Sequence, residues 1–294
     1  MFERPSMRFL PDGKRLLLQQ GPIDLVIQAT GEDSAVQAAY EAAGRRFDGL
    51  LAKLCGELSL LRSRVTSQSP VPDGEVARRM HAAVLPFAVD TFITPMAAVA
   101  GSVAEEILGA MVCTAPLRRA FVNNGGDIAL HLTEGEHVRV GLVDRPEQPS
   151  LFGTTTISAT DGIHGIATSG YPGRSFSRGI AEAVTVLART AAMADAAATV
   201  IANAVDLPGH PAIVRMPANA IHSDSDLGNI PVTRHVGRLA ETEIQDALAT
   251  GLREAKRLQA LGLILSCALH LQGRSETLAL PALSETTSRK LSHA

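Results

Sequence analysis

Apolar residues recur along this chain with two different periods, and the changes of period mark its elements. The turn-forming stretches PDGK at 11–14 and QQGP at 19–22 bracket residues 15–19 and precede 23–29; both runs are short and suit strands, so the chain is predicted to open as a β-meander. From 33 to 65 the period lengthens. Val36, Tyr40, Ala43, Phe47, Leu51, Leu54, Leu58 and Leu61 step by three or four and share one helical face. This predicts one long helix with Asp33 or Ser34 as its N-cap. TSQSPVPDGE at 66–75 reads as a hinge, followed by a short helix over 75–85. MAAVAGSVAEEILGAM, over 97–112, predicts a helix whose small side chains suit tight packing or close approach to a ligand.

Strands are predicted at 118–122, 126–132 and 137–143, with a Thr-rich stretch at 154–160. AVTVLA at 183–188 reads as a strand that runs into a helix of almost only small residues, roughly 190–204. Residues 206–234, with PGHP, MPAN and SDSDLGN, read as loop. A last amphipathic helix over 240–260 turns Ile244, Leu248, Leu252, Ala255 and Leu258 inward and stops at Gly262. LILSCALHL at 263–271 is predicted as a buried closing strand, with polar sequence from Gly273. The pattern contains no internal repeat, and the expectation is one domain over 1–274 followed by a polar tail over 275–294.

Composition narrows the function classes. Hydrophobic residues make up 46% of 294, enough for a substantial core. A net charge of −3 gives no global signal for nucleic acid or an anionic membrane. Cys55, Cys113 and Cys267 form no CxxC and no metal spacing, and are expected to be buried free thiols of a reducing compartment. The opening MFERPSMRFLPDGKR lacks an apolar leader region, and no run of about 18 apolar residues occurs, so a cytoplasmic location is expected. With no Trp and 3% aromatic residues, a flat ring would stack on Phe, Tyr or backbone.

The common phosphate-loop, dinucleotide, zinc-protease and nucleophile-elbow signatures are absent. Three other segments carry candidate chemistry. Asn123-Asn124-Gly125-Gly126-Asp127 lies between two predicted strands, where paired glycines can bring backbone N–H groups against a ligand or simply form a hairpin turn. Thr168-Ser169-Gly170, followed by Arg174, Ser175 and Arg178, offers hydroxyls and, from Arg174 or Arg178, a guanidinium for a phosphate, or reads as a polar loop. In Ala194-Asp195-Ala196-Ala197-Ala198-Thr199, Asp195 is the sole charge of an apolar helix and shares a face with Thr199. That pair is half of a magnesium site, or the Asp caps a neighbouring element or pairs with an arginine.

In this order and spacing, VNNGGD at 122–127, TSG at 168–170, and AVTVLA running into ADAAAT at 194–199 resemble the ApbE family of FAD:protein FMN transferases, over about residues 87–205. SFSRGIAEAVTV at 175–186, SDSDLGN at 223–229 and GLILSCALHLQGR at 262–274 extend the similarity to a shortened branch of that superfamily carrying a UPF-type label. The resemblance implies an α+β, T-fold-like fold of layered antiparallel sheets with packed helices. It implies that Asp195 and Thr199 are the catalytic and metal residues, holding Mg2+ beside the FAD pyrophosphate, with a backbone carbonyl near 99–101 contributing. It further implies that Asn123, Asn124, Gly125, Gly126, Asp127, Thr168, Ser169, Gly170, Arg174 and Ser175 line a flavin or nucleotide pocket. FMN would pass from FAD to a Thr of an acceptor protein, with AMP leaving.

Two departures stand out. Where that family carries the Lys of an AKG segment, this chain has Ala100 or Gly101. The family's H-x-x-D-P-x-T-G stretch is replaced by a link over 171–183 without His or Asp. Two further function classes therefore stay open. One is a different enzyme on the same scaffold, acting on another small phosphate- or ring-bearing ligand, with His164, His210, His222 or His235 as base. The other is an inactive flavin-binding or assembly module. Small-residue helix faces also allow a homodimer.

Overall fold

A computed structural model describes residues 4–143 and 151–278. The opening meander forms β1 (Ser6–Phe9), β2 (Leu16–Gln20) and β3 (Ile23–Thr30). The periodic stretch that follows does not make one long helix. It divides into α1 (Asp33–Phe47), α2 (Leu50–Gly56) and α3 (Leu58–Leu61), because Gly49 takes φ +74° and swings the chain. The same apolar spacing is kept, but Phe47 and Leu50 enter the core from two differently directed helices. The N-cap position falls on Glu32, which makes no side-chain cap, and Asp33 sits in the first turn.

Next come α4 (Glu75–Val84), a 3-10 turn at Pro95–Ala98, and α5 (Val99–Thr114). β4 (Arg119–Asn124), β5 (Asp127–Leu132), β6 (His137–Val143), β7 (Leu151–Ser158), β8 (Gly165–Ser169) and β9 (Ala183–Ala188) precede the alanine helix α6 (Ala191–Ala204). The stretch read as loop over 206–234 contains β10 (Ile213–Pro217), the short α7 (Ala218–Ile221) and β11 (Pro231–Val236). β10 and β11 pair through a bulge, which blurs the alternation a sequence reading depends on. The chain ends in α8 (Glu241–Ala260), β12 (Ser266–Leu271) and β13 (Arg274–Leu278). The last strand is formed from polar residues assigned to the tail, since main-chain pairing to β12 at an open edge needs no apolar face. The rest of the expected tail, 279–294, lies outside the described residues.

Nine strands form one antiparallel sheet in the order β1-β2-β3-β4-β5-β8-β9-β12-β13. The helices stack on one of its faces. α1 and α5 cover the first half with Leu16, Leu25, Phe47, Ile107 and Met111; α6 and α8 cover the second with Val184, Ile201, Leu248, Leu258 and Leu269. The β6–β7 hairpin supplies Ile157 to a smaller cluster with Leu130, Ile166 and Leu187. β9 and β12 are buried along their whole length, consistent with strands covered on both faces. This is the layered α+β architecture expected.

The helical run Pro95–Thr114 is long and apolar enough, by length and composition, to cross a membrane. Half of it is buried inside the fold, and it carries Glu105 and Glu106 in ion pairs, as a core helix does. Glu106 lies between Arg46 and Arg79, at 2.5 and 2.7 Å. Burial disfavours its charge, but the hydrogen bonds from Arg79 and Arg46 outweigh that and hold its carboxyl below the usual range. All three cysteines are free. Contrary to expectation only Cys267 is buried, while Cys55 is half-buried and Cys113 exposed at the end of α5.

Candidate functional site

The β4–β5 turn, the end of β8, the loop after it and the face of α6 enclose a cavity of about 390 Å3. Gly125, Asp127, Thr168, Ser169, Gly170, Arg174, Ser175, Asp195 and Thr199 all line it. The fold thus gathers three segments separated by as many as seventy-odd positions, because β5, β8 and β9 are neighbours in the sheet and α6 follows β9 directly.

The turn itself explains two residues that do not face the cavity. Gly125 and Gly126 take φ of +67° and +115°, conformations open mainly to glycine, and give a two-residue hairpin with Asn124 opposite Asp127. Asn123 Oδ1 accepts the Gly126 N–H at 2.8 Å, closing that turn. Asn124 Nδ2 donates to the Ala100 carbonyl at 3.2 Å, tying the turn to the start of α5. Asn123, Asn124 and Gly126, expected as pocket-lining residues, therefore sit behind the lining and hold its shape. The Ala100 carbonyl, in the region expected to face a cation, already accepts one hydrogen bond.

α6 starts cleanly because the Thr190 side chain accepts the Met193 N–H at 3.2 Å. Its alanines let α5 approach so closely that a Cβ on Gly101 would lie 2.3 Å from the Ala191 carbonyl. The two helices then cap each other. Asp195 Oδ2 accepts the Gly101 N–H at 2.9 Å, and Glu105 Oε2 accepts the Ala192 N–H at 3.2 Å. The capping role left open for Asp195 is therefore present. No arginine pairs with it among the described residues.

Capping satisfies only part of the Asp195 carboxylate. Burial pushes its pKa well above the usual range and the Asp127 charge adds to this, against opposing N–H bonds from Gly101 and Ala100. Asp127 Oδ1 accepts the Thr168 N–H at 3.2 Å, yet burial raises its carboxyl from 3.8 to about 7. Two half-buried carboxylates thus line one small cavity, and the charge of Asp127 is felt at Asp195. Among the described residues the one cationic side chain on the lining is Arg174, which is exposed and pairs loosely with Asp24 at 3.8 Å. Thr199 brings a hydroxyl one helical turn beyond Asp195, and all three oxygen-bearing groups are of the hard type that suits Mg2+.

Sequence reasoning missed Thr185, whose hydroxyl lies 2.9 Å from that of Thr168 and fixes the strand end. It also missed Pro172 and Gly173 on the cavity wall. The first carried a signal, a hydroxyl residue inside an otherwise apolar strand; the YPG turn carried another. None of the four candidate histidines lines the cavity. His164, His222 and His235 are exposed, and His210 is 2.9 Å from Glu243.

A family model described as "AbpE bacteria" matches residues 7–277. The chain belongs to this ApbE-like family. A UPF0280 protein of Methanopyrus kandleri is 36% identical over 183 residues, covering 61% of this chain and 69% of that protein. A UPF0280 protein of Methanothrix thermoacetophila is 40% identical over 131 residues, 44% of this chain and 52% of that one. Beyond the first of these, this ApbE-like chain spans about half the length of the curated relatives it matches. The apo flavinyl transferase ApbE of Pseudomonas stutzeri superposes with a TM-score of 0.40 at 10% identity, over 94% of this chain and 95% of that one. The assignment to the ApbE-like family rests on the family match, which runs through every segment of the cavity.

Proposed function

We propose that this ApbE-like chain binds a flavin nucleotide at the cavity between the double-glycine turn and α6, with a divalent cation, and transfers FMN from FAD to a threonine of an acceptor protein. One observation carries the reading: two carboxylates, Asp127 and Asp195, face one small cavity, and among the described residues neither has an ion-pair partner. Such a pair is costly with both groups charged, and either a retained proton or a bound cation relieves it. Asp195 and Thr199 would hold Mg2+, and the ion when bound supplies charge stabilisation at a pyrophosphate. Arg174 and Ser175 would reach the phosphates from the rim, and the Thr168–Gly170 segment would position the adjoining group. A whole dinucleotide exceeds 390 Å3, so its remainder extends along the open side past Arg174.

In the transfer the acceptor hydroxyl oxygen forms a bond to the phosphorus of the FMN half. The bond from that phosphorus to the AMP oxygen breaks, and AMP departs with the electron pair. The hydroxyl proton passes to Asp127 Oδ2, since a carboxyl titrating near neutrality is matched to that task and its other oxygen is held by Thr168 N–H. A cytoplasmic setting accords with three free thiols.

A second reading, ligand binding without transfer, is favoured by the lining itself, which carries neither Lys nor His. One experiment separates the two. The purified chain is incubated with FAD, MgCl2 and a threonine-bearing acceptor protein, and AMP release and the acceptor's mass are followed. AMP with an FMN-sized mass gain establishes transfer. Magnesium-dependent thermal stabilisation by FAD without AMP leaves binding alone. Absence of both removes the flavin reading.

A further inference from the structure

A second cavity, of about 710 Å3, is larger than the one above. It lies further along the same face of α6, where Asn203 follows Thr199 and Asp195 at four-residue spacing. The segment carrying Arg174 and Arg178 divides the two: Arg174 borders the small cavity and Arg178 the large one. The divider is pinned from both sides. Arg178 N–H donates to Asn203 Oδ1 at 2.8 Å, and the Arg178 carbonyl accepts from Arg215 Nε and Thr233 Oγ1, each at 3.3 Å.

We propose that the large cavity is a second binding site, for a small organic carboxylate with an apolar body, in which Arg178 and Asn203 hold the carboxylate. Three arginines border the cavity and two are committed. Arg215 pairs with Asp206, and Arg257 with Glu254 at 2.8 Å and Asp90 at 3.5 Å. The Arg178 guanidinium has no ion pair and no hydrogen bond among the described residues, although its backbone is fixed on all sides. Asn203 spends its oxygen on the Arg178 N–H and the Ser177 hydroxyl (3.4 Å), which turns its amide nitrogen away from them with no partner among the described residues. The result is one uncommitted positive charge beside one uncommitted amide donor. A planar fork of this kind suits a carboxylate. Phe87, Val200 and Pro231 give the same cavity an apolar wall, as ligand sites commonly have. A single spare charge, with three acids close by, matches a monoanion better than a phosphate dianion. This site does not depend on the flavin reading.

The test uses the full chain and three probes: benzoate, its neutral analogue benzamide, and inorganic phosphate. Binding is followed by calorimetry and by the arginine Nε–H resonances. Benzoate should saturate, benzamide and phosphate should bind at least about tenfold more weakly, and Arg178→Gln should lower benzoate affinity by about tenfold. Asp195→Asn should leave it unchanged. The Arg178 side chain makes no hydrogen bond or ion pair among the described residues, so the variant should melt close to the parent; the benzoate-to-benzamide ratio on the unmodified chain decides independently of it. Equal binding of benzoate and benzamide, no saturable benzoate binding, or loss in Asp195→Asn with none in Arg178→Gln overturns the proposal.

Discussion

Replacing Asp127 by Asn probes the electrostatics of the small cavity. The amide keeps an oxygen to accept the Thr168 N–H bond of 3.2 Å and removes the charge. In the folded chain burial lifts this carboxyl from 3.8 to about 7, while the unfolded chain returns it to the ordinary range. As pH climbs, the unfolded state therefore loses its proton first. The native state bears no penalty below the ordinary value, accumulates it between the two, and carries all of it above about pH 7. At about 1.36 kcal/mol per unit the full displacement is on the order of 4 kcal/mol. The residue keeps some exposure at the cavity wall, and solvent screening reduces the expected effect to about 2 kcal/mol. The Asn amide nitrogen brings a cost of its own, but that cost is the same at every pH. The stability of Asp127→Asn relative to the parent should thus improve by about 2 kcal/mol between about pH 4 and pH 8, roughly 5 °C in melting temperature. Calorimetric melting in EDTA at a series of pH values measures it. A difference between the two proteins that stays flat with pH, or runs the other way, refutes the reasoning.

Thr199→Val should change folding stability by less than about 1 kcal/mol yet abolish the stabilisation by MgCl2, read as the shift in melting temperature on adding the salt. Gly101→Ala should cost about 3 kcal/mol or more in urea denaturation, because the new methyl meets the Ala191 carbonyl backbone, which cannot move without parting α5 from α6. Glu106→Ala takes from Arg46 and Arg79 the carboxylate they share, leaving them Glu75 and Glu105, and should cost about 1–3 kcal/mol. Since the Glu106 carboxyl is held below its usual range, this contribution is present above the unfolded-state value and fades as pH falls through the folded one, so parent and variant should converge in acid. A gap between them that persists there would show that packing, not charge, makes the difference.

The local elements were legible wherever one residue pattern controls the outcome. The alanine helix, the β4–β5 turn and the amphipathic α8 follow from spacing and from glycine alone, and the ordered set of three segments pointed to the cavity-lining residues from Gly125 to Thr199. Where several weak signals compete, sequence was insufficient. An unbroken apolar step over 33–65 hid the bend at Gly49, because periodicity is the same on both sides of a left-handed residue. The bulged β10–β11 pair and the polar β13 were hidden because pairing of main chains leaves little trace in side-chain pattern.

The sequence by itself determined which groups are available: one acid and one hydroxyl a helical turn apart, two glycines, a serine and an arginine. Only the tertiary structure decided what each one meets. Asn123 and Asn124 turned out to brace the turn, Asp195 to cap α5 as well as face the cavity, and Asp127 to become its electrostatic partner. The reason is physical. A carboxylate's charge state depends on how much water, which N–H groups and which charges surround it, and these are set here by neighbours more than forty positions away in the chain.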